Sequence, residues 1–388
     1  MRNNRILIAI LLVCCLARLD NKTRAQEDAS WLAESIAMSA NGRHLTVLYA
    51  TDEWDGYNFV REVWTYNLAD LLSPPQFLAQ VSDHGANLSF SPDSRQIAVA
   101  DRRRLRVYNT DDNSLFVDIP NPSNEQSADL IMPSYSPDGE HIMAFSYIWR
   151  THYSEMSIWD IDTGTRIFAV PVYQSQEIVE LPWLSSDWRQ FLDWSQSDGV
   201  RIYEFDIKHG IGSHLASISD AASGAAFSPD SSLFALATTE GKIHVFRTDT
   251  WELTYIQMLG EESCGGILVT LAFGHINPWL ACFGDGWLQV WDIETGEMLL
   301  SDKPAGSFSH ISLDDGVLFA DDIIHIDVDY TISAWDANNA FEKSTFPGLM
   351  PQLHPNGEVM AALNSDQKVW IWNIKSKQVL VVLPVPRH

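Results

Sequence analysis

An aliphatic residue followed by an aromatic one recurs at a nearly constant interval along this chain of 388 residues. Successive aromatics in the series lie 44, 51, 44, 43, 45, 44 and 37 positions apart. A period of about 40–45 residues is typical of chains that repeat one small structural unit. The sequence therefore predicts eight similar units, each marked by one pair: Val63-Trp64, Val107-Tyr108, Ile158-Trp159, Ile202-Tyr203, Val245-Phe246, Val290-Trp291, Ala334-Trp335 and Ile371-Trp372.

Each unit has the pattern of four short strands joined by three turns. In the fifth unit, an apolar run at 225–227 ends at the turn Ser228-Pro229-Asp230-Ser231 and a second apolar run follows at 233–237. Residues 242–247 and 251–258 then alternate polar and apolar, as half-buried strands do. Four strands per repeat predict an all-β fold, a single β-propeller of four-stranded antiparallel blades.

Eight blades are favoured because eight units lie in phase, and seven is the alternative if one unit is an insertion or a cap. The period never breaks, so residues 26–388 are expected to form one domain that unfolds as one unit. No strand is left over at either end, so we expect blade 8 to pack on blade 1 through side chains. The expected blades span residues 31–80, 84–120, 128–173, 178–217, 221–259, 265–301, 306–346 and 347–386.

The motifs within the units resemble the WD40 repeat. Turns such as Ser136-Pro137-Asp138-Gly139 precede an apolar run, and the dipeptides Trp159-Asp160, Trp291-Asp292 and Trp335-Asp336 follow it. The resemblance covers nearly all of residues 31–385. The repeats of this chain are similar to the divergent WD40-like repeats of bacterial proteins. The other five units replace the Asp of the dipeptide, and the Gly-His pair that usually precedes the first strand is missing. The resemblance therefore implies a binding scaffold without implying the His–Ser–Trp–Asp network of many WD40 blades.

The first 25 residues have the pattern of a secretory signal peptide. Arg2 and Arg5 precede an apolar run at 6–17, which is too short to span a bilayer, and Thr23-Arg24-Ala25 offers a cleavage site. An uncleaved anchor is the alternative, and lipidation at Cys14 is not expected. We therefore expect a secreted or cell-envelope protein.

Charge and cysteine content fit an exported acidic protein. Removing residues 1–25 leaves 20 basic and 50 acidic side chains, a net charge of −30. Such a chain repels nucleic acid and anionic membranes. Only Cys264 and Cys282 then remain. Cys282 lies in an apolar strand pattern and is expected to be a small core residue, with a disulfide to Cys264 as the alternative that export permits.

The sequence contains no motif of an enzyme active site. Metalloprotease, nucleophile-elbow, P-loop and dinucleotide-binding patterns are absent, as are paired zinc-ligand cysteines. We therefore predict a protein that is not an enzyme and holds no cofactor or metal. Calcium remains an alternative for the acidic seventh unit, although the spacing of its carboxylates matches no EF-hand: Asp314, Asp315, Asp321, Asp322, Asp327 and Asp329.

The most informative variation lies in the loops between second and third strands. These loops are long and aromatic at 52–59 in blade 1 and at 147–153 in blade 3, and blade 2 places three arginines between them. Aromatic and Arg side chains are enriched at binding hot spots, and loops on a rigid scaffold commonly carry function. The predicted partner-binding residues are Trp54, Tyr57, Arg102, Arg103, Arg104, Trp149 and Tyr153. The competing interpretation is that the arginines pair with Asp52, Glu53 and Asp55.

Two functional hypotheses follow. The favoured one is a monomeric, non-enzymatic scaffold that binds a protein or peptide, with no nucleic acid and no membrane partner beyond an uncleaved anchor. The alternative is a ligand-binding or enzymatic propeller, lactonase-like or quinoprotein-like, that uses the central channel. First strands built mostly from Ala, Leu, Ser and Phe argue against this alternative.

Overall fold

The structure is a computed structural model. It describes residues 31–54, 59–70, 73–81, 87–123, 128–148, 153–173, 184–195, 199–220, 222–258, 269–275, 277–284, 286–303, 308–314, 317–322, 331–354, 357–364 and 368–386. The part of the chain so described contains no helix long and apolar enough to cross a membrane.

The first half of the chain forms three antiparallel sheets of four strands each. Blade 1 contains β1 (Leu32–Met38), β2 (His44–Trp54), β3 (Phe59–Asn67) and β4 (Gln76–Val81). Blade 2 contains β5 (Asn87–Phe90), β6 (Gln96–Ala100), β7 (Arg104–Asn109) and β8 (Leu115–Pro120). Blade 3 contains β9 (Ala128–Tyr135), β10 (His141–Ile148), β11 (Tyr153–Asp160) and β12 (Arg166–Tyr173).

Five more sheets follow. Blade 4 contains β13 (Gln190–Ser195), β14 (Gly199–Asp206) and β15 (Gly210–Ile218); blade 5 contains β16 (Ala222–Phe227), β17 (Leu233–Thr238), β18 (Lys242–Arg247) and β19 (Leu253–Met258). Blade 6 contains β20 (Thr270–Phe273), β21 (Trp279–Gly284), β22 (Trp287–Asp292) and β23 (Met298–Asp302). Blade 7 contains β24 (Phe308–Asp314), β25 (Val317–Asp322), β26 (Thr331–Asp336) and β27 (Glu342–Pro347), with a short 3-10 helix at Ala337–Asn339. Blade 8 contains β28 (Leu349–Leu353), β29 (Val359–Leu363), β30 (Val369–Asn373) and β31 (Gln378–Val382).

Eight blades are therefore present, and the predicted all-β propeller with eight blades is confirmed. The alternative of seven blades is wrong. In the described part of blade 4, which begins at Leu184, a single bridge between Leu184 and Phe191 stands where the other blades have a first strand.

Seven of the eight repeated aromatic residues belong to the core, and the eighth, Tyr203, is half-buried. Trp159, Trp291 and Trp335 are at most 2% exposed, which confirms the prediction that they are structural. In seven blades the ladder from the third to the fourth strand bulges at the aliphatic–aromatic pair, as it does at Val290-Trp291. Blade 7 has no bulge there, and its third and fourth strands are joined by the 3-10 helix. The repeat thus marks both a buried side chain and a bend of the outer ladder.

The contacts of the chain divide it into two compact units. One unit contains Ser175–Leu349 with blades 4 to 7, and the other contains Cys14–Gln174 and Met350–His388 with blades 1 to 3 and most of blade 8. Within the second unit, the Tyr66 hydroxyl of blade 1 donates to the carbonyl of Pro384 beyond blade 8 (2.7 Å). Every described strand of these two blades pairs within its own blade, so they meet without sharing a strand.

Two local expectations need correction. Cys282 is fully buried on β21, as expected, but it is disulfide-bonded rather than a free core residue. Strand pairing extends into both segments that were predicted as long loops in blades 1 and 3, as far as Trp54 with Phe59 and Ile148 with Tyr153, and the residues between these pairs lie outside the described part of the chain. Backbone pairing satisfies donors and acceptors that a loop would have left to water.

Candidate functional site

The candidate site is one edge of blades 1 to 3. In an antiparallel blade, the hairpin between second and third strands lies at the end opposite to the other two turns. We call this end of the three blades the hairpin rim, which the structure describes at 51–54, 59–60, 100–105, 147–148 and 153–154. β2 has 11 residues and β6 has five, so the hairpin of blade 1 is the longer one beside the tight turn of blade 2.

The turn of blade 2 is held in place by Asp101, which is 4% exposed. Its Oδ1 atom accepts hydrogen bonds from the backbone N–H groups of Arg103 (2.8 Å) and Arg104 (3.0 Å). Its Oδ2 atom accepts a bond from Arg106 Nη2 (2.9 Å). A buried carboxylate with three donors fixes the backbone on which the arginines are displayed.

The loop after blade 2 supports the same turn from the other side. Asn121 donates its backbone N–H to the carbonyl of Arg103 (2.7 Å) and its side-chain amide to the carbonyl of Arg102 (2.9 Å). The Asn121 amide oxygen accepts from the Ser146 hydroxyl of blade 3 (2.8 Å). The turn is therefore tied to its neighbour as well as to its own blade.

The predicted arginines differ in what their side chains contact. The guanidinium of Arg102 lies 3.6 Å from the carboxylate of Asp129 on blade 3, and that of Arg104 pairs with Asp118 on β8. Arg103 is exposed, and no ion pair joins its side chain to any of the described residues. The competing interpretation is therefore supported for Arg102 and Arg104, although their described carboxylate partners are Asp129 and Asp118.

One further arginine links blade 2 to blade 1. Besides its bond to Asp101, Arg106 donates to the carbonyl of Gln80 on β4 (2.9 Å). Arg106 packs near Tyr108, and burial raises the pKa of the Tyr108 hydroxyl while the nearby Arg106 opposes that rise. Through these contacts, Arg102 connects blade 2 to blade 3 and Arg106 connects blade 2 to blade 1.

The aromatic members of the predicted site are only partly located. Trp54 ends β2 and Tyr153 begins β11, so their backbones belong to the rim, but their side chains lie outside the described part of the chain. Tyr57 and Trp149 lie outside the described residues altogether. The structure thus brings the backbones of five of the seven predicted residues to one edge: Trp54, Arg102, Arg103, Arg104 and Tyr153.

Sequence reasoning missed Asp101, Arg106 and Asn121, which hold the rim turn. The signal for Asp101 was present, since an Asp directly before a tight hairpin commonly accepts bonds from backbone N–H groups two and three residues on. The roles of Arg106 and Asn121 depend on contacts with other blades, and nothing local in the sequence encodes those contacts.

The described residues contain one group of three side chains whose ligand atoms lie within 4.8 Å of one another, Asp138, Glu140 and His141. Asp138 Oδ1 already accepts bonds from the Ser136 hydroxyl (2.5 Å) and the Glu140 N–H (2.9 Å), which makes it part of a turn. The acidic side chains named above for calcium, in the seventh unit, lie outside the part that the structure describes.

The arrangement defines the class of protein: an eight-bladed β-propeller of WD40-like fold. No protein-family model and no curated protein matches the sequence. Among solved structures, the C-terminal WD40 domain of Sif2 is similar, with a TM-score of 0.61 and 13% identity, over 89% of this chain and 97% of that chain. A chain in the crystal structure of a mitotic checkpoint complex is also similar, with a TM-score of 0.53 and 16% identity, over 75% of this chain and 90% of that chain. At identities this low, the structural similarity shows a shared fold alone.

Proposed function

We propose that this chain is an exported, non-enzymatic propeller that binds a protein or peptide at the hairpin rim of blades 1 to 3. The observation that carries the proposal is the turn of blade 2, where a buried carboxylate and two neighbouring blades hold three arginines at an exposed edge. Binding sites are commonly built from exposed side chains on a rigid support, because little order is lost on association.

The similar structures support a scaffold role. One of them belongs to a complex, and the other is a WD40 domain. The charged side chains Glu34 and Asp129 on the first strands β1 and β9 are paired with Arg61 and Arg102, which ties them to structural roles. A purified protein that carries a chromophore or a bound metal would instead favour the enzymatic or ligand-binding alternative.

Export rests on the N-terminal pattern and on the disulfide. Arg2, Arg5 and the apolar run at 6–17 fit a signal peptide, and Cys282 is disulfide-bonded. Disulfides persist in oxidising compartments. N-terminal sequencing of protein from the culture medium should begin close to Gln26. Recovery of an intact Met1 end in the membrane fraction would mean an anchor instead.

The binding proposal is tested by capture from the secretome of the source organism, with the secreted protein as bait. A variant with Arg102, Arg103 and Arg104 changed to Ser should lose the partner that the wild type retains. Because Arg102 and Arg104 also pair with Asp129 and Asp118, its thermal unfolding is measured alongside. Undiminished capture by a folded triple variant would contradict binding at the rim.

A further inference from the structure

The rim turn of blade 2 carries more positive charge than its carboxylate partners neutralise. Four guanidinium groups, those of Arg102, Arg103, Arg104 and Arg106, face three carboxylates. Each of the three carboxylates has its own arginine: Asp129 with Arg102, Asp118 with Arg104, and Asp101 with Arg106. One positive charge, that of Arg103, is left over among the described residues.

The backbone of Arg103 is fixed at both of its polar groups. Its N–H donates to Asp101 Oδ1 (2.8 Å), and its carbonyl accepts from the Asn121 N–H (2.7 Å). Because Asp101 is buried, this support is shielded from water. Only the side chain of Arg103 therefore has to become ordered when a ligand binds, which lowers the entropic cost of association.

We propose that Arg103 binds the carboxylate of an isolated aspartate or glutamate side chain of the protein partner. This inference rests on the proposed function and assigns the charged contact within it. A guanidinium presents a planar pair of N–H donors that matches one carboxylate, with two parallel hydrogen bonds. Arg102, Arg104 and Arg106 are positioning residues, because their charges are engaged in holding the turn.

The charge balance favours a carboxylate over a phosphate group. The guanidinium of Arg103, which has no carboxylate partner among the described residues, matches one monoanion, whereas a phosphoryl group carries close to two negative charges and is commonly held by several donors. The chain as a whole has a net charge of −26, so a dianion meets stronger repulsion from the surrounding surface. A local positive site on an acidic body also selects partners that present an isolated acidic side chain.

The test measures binding of defined peptides to the secreted protein by fluorescence anisotropy at low ionic strength. The probe is a fluorescein-labelled octapeptide with one glutamate among glycine and serine residues and with an amidated C-terminus. Comparison arms use a phosphoserine peptide without Asp or Glu and an uncharged peptide with a free C-terminal carboxylate. The variants are R103Q, R103K and, as a matched control, R95Q, because Arg95 is an exposed arginine of the same blade in the turn at the other end.

We expect this glutamate peptide to bind the wild type and R103Q to weaken that binding at least about tenfold. R103K should weaken it less, because the charge is kept but the planar fork is lost, and R95Q should leave it within about twofold. No binding of the glutamate peptide, or equal losses in R103Q and R95Q, would overturn the inference. Tighter binding of either comparison peptide would overturn the choice of an acidic side chain. If R103Q still captures the partner from the secretome but the folded triple variant does not, this inference fails and the proposed function stands. If both variants still capture the partner, the inference and the proposed function both fail.

Discussion

At the scale of single residues, several residues other than glycine adopt a left-handed backbone conformation that glycine would adopt more easily. Ser94 and Ser231 have φ values of 63° and 58°. Each accepts a hydrogen bond from the neighbouring blade, Ser94 from the Asn41 N–H (3.0 Å) and Ser231 from the Asp187 N–H (2.8 Å). Lys377 has a φ of 56° and an exposed side chain. In the two serines, the hydrogen bond between blades offsets the backbone strain, and glycine could not form this bond because it has no side-chain acceptor.

Replacing these residues with glycine should therefore have opposite effects. Lys377→Gly removes strain alone and should raise the free energy of unfolding by about 0.5–1 kcal/mol. Ser231→Gly also leaves the Asp187 N–H without its acceptor and should lower that free energy by about 1 kcal/mol. Denaturant unfolding of both variants measures the difference. Shifts in the same direction would show that the bond between blades contributes little.

The third-strand aromatic is a core position in seven of the eight blades. Trp291→Ala removes a side chain that is 2% exposed and packs beside Leu271 and Cys282. The expected loss is about 3–5 kcal/mol in the free energy of unfolding. Phe116→Ala, at an exposed position of the outer strand β8, should cost less than about 1 kcal/mol in the same measurement. An unchanged stability of the Trp291 variant would contradict its structural role.

At the scale of elements, the turn between first and second strands repeats with one set of bonds. In blade 5, Asp230 Oδ1 accepts from the Ser228 hydroxyl (2.6 Å), the Ser232 N–H (3.0 Å) and the Ser232 hydroxyl (2.8 Å). The bond from Ser228 is the main cause that lowers the pKa of the Asp230 carboxyl. In blade 1, Asn41 accepts the equivalent bonds from Ser39 (2.9 Å) and Arg43 (2.9 Å). An oxygen acceptor, charged or neutral, is what this turn requires.

Two substitutions separate the acceptor from the charge. Asp230→Ala removes all three bonds and should cost about 1–2 kcal/mol, while Asp230→Asn should cost less than half of that. Because the folded pKa is lowered, the stability from the charge is present above a pH of about 4 and is lost as the pH falls further. Unfolding curves at pH 7 and pH 3 provide the test. Equal losses for Ala and Asn at pH 7 would mean that the charge matters more than the acceptor.

The turns and blades could be predicted from sequence because their signals are local. Ser228-Pro229-Asp230-Ser231 folds on itself, and the aliphatic–aromatic pair marks one position of the third strand. The ion pairs of the candidate site could not be predicted in the same way. Arg102 reaches Asp129, 27 positions away and on another blade, and Arg106 reaches Gln80 at 26 positions. Charge alone suggested Asp52 and Glu53 as partners, since the sequence does not reveal which acidic groups the register brings close.

At the scale of the whole molecule, the first and last blades meet through side chains. The Tyr49 and Tyr66 hydroxyls lie 2.7 Å apart, and Tyr66 donates to the carbonyl of Pro384. At Gly42, where φ is 69°, a Cβ atom would lie 2.2 Å from His354 Nε2, so a larger residue would strain the backbone and displace the imidazole of blade 8. These contacts take the place of a strand shared by the two termini.

The tyrosine pair should make this contact sensitive to alkaline pH. Burial raises the pKa of Tyr49 to about 12 and raises that of Tyr66 as well. Stability from these groups is complete below a pH of about 10 and falls as the pH rises towards about 12, because the unfolded chain loses its protons first. Tyr66→Phe should cost about 1–2 kcal/mol at neutral pH and should flatten the decline between about pH 10 and pH 12. An unchanged slope in this variant would contradict the role of the pair.

The unbroken period also leads us to expect one cooperative unfolding transition for the exported chain. Blades stacked side by side bury a shared apolar surface, so the loss of one blade should destabilise its neighbours. Calorimetry of the secreted protein, with the calorimetric enthalpy compared with the van't Hoff value, measures cooperativity directly. Two well-separated transitions would contradict this expectation.

The claim that the hairpin rim is the binding surface is tested most directly by hydrogen–deuterium exchange of the protein alone and with its captured partner. Binding at the hairpin rim predicts new protection in peptides that cover residues 51–60, 100–105 and 147–154, with the opposite turns at 39–42, 91–94 and 136–139 unchanged. Protection confined to those opposite turns, or to the outer strands such as β8 and β31, would contradict it.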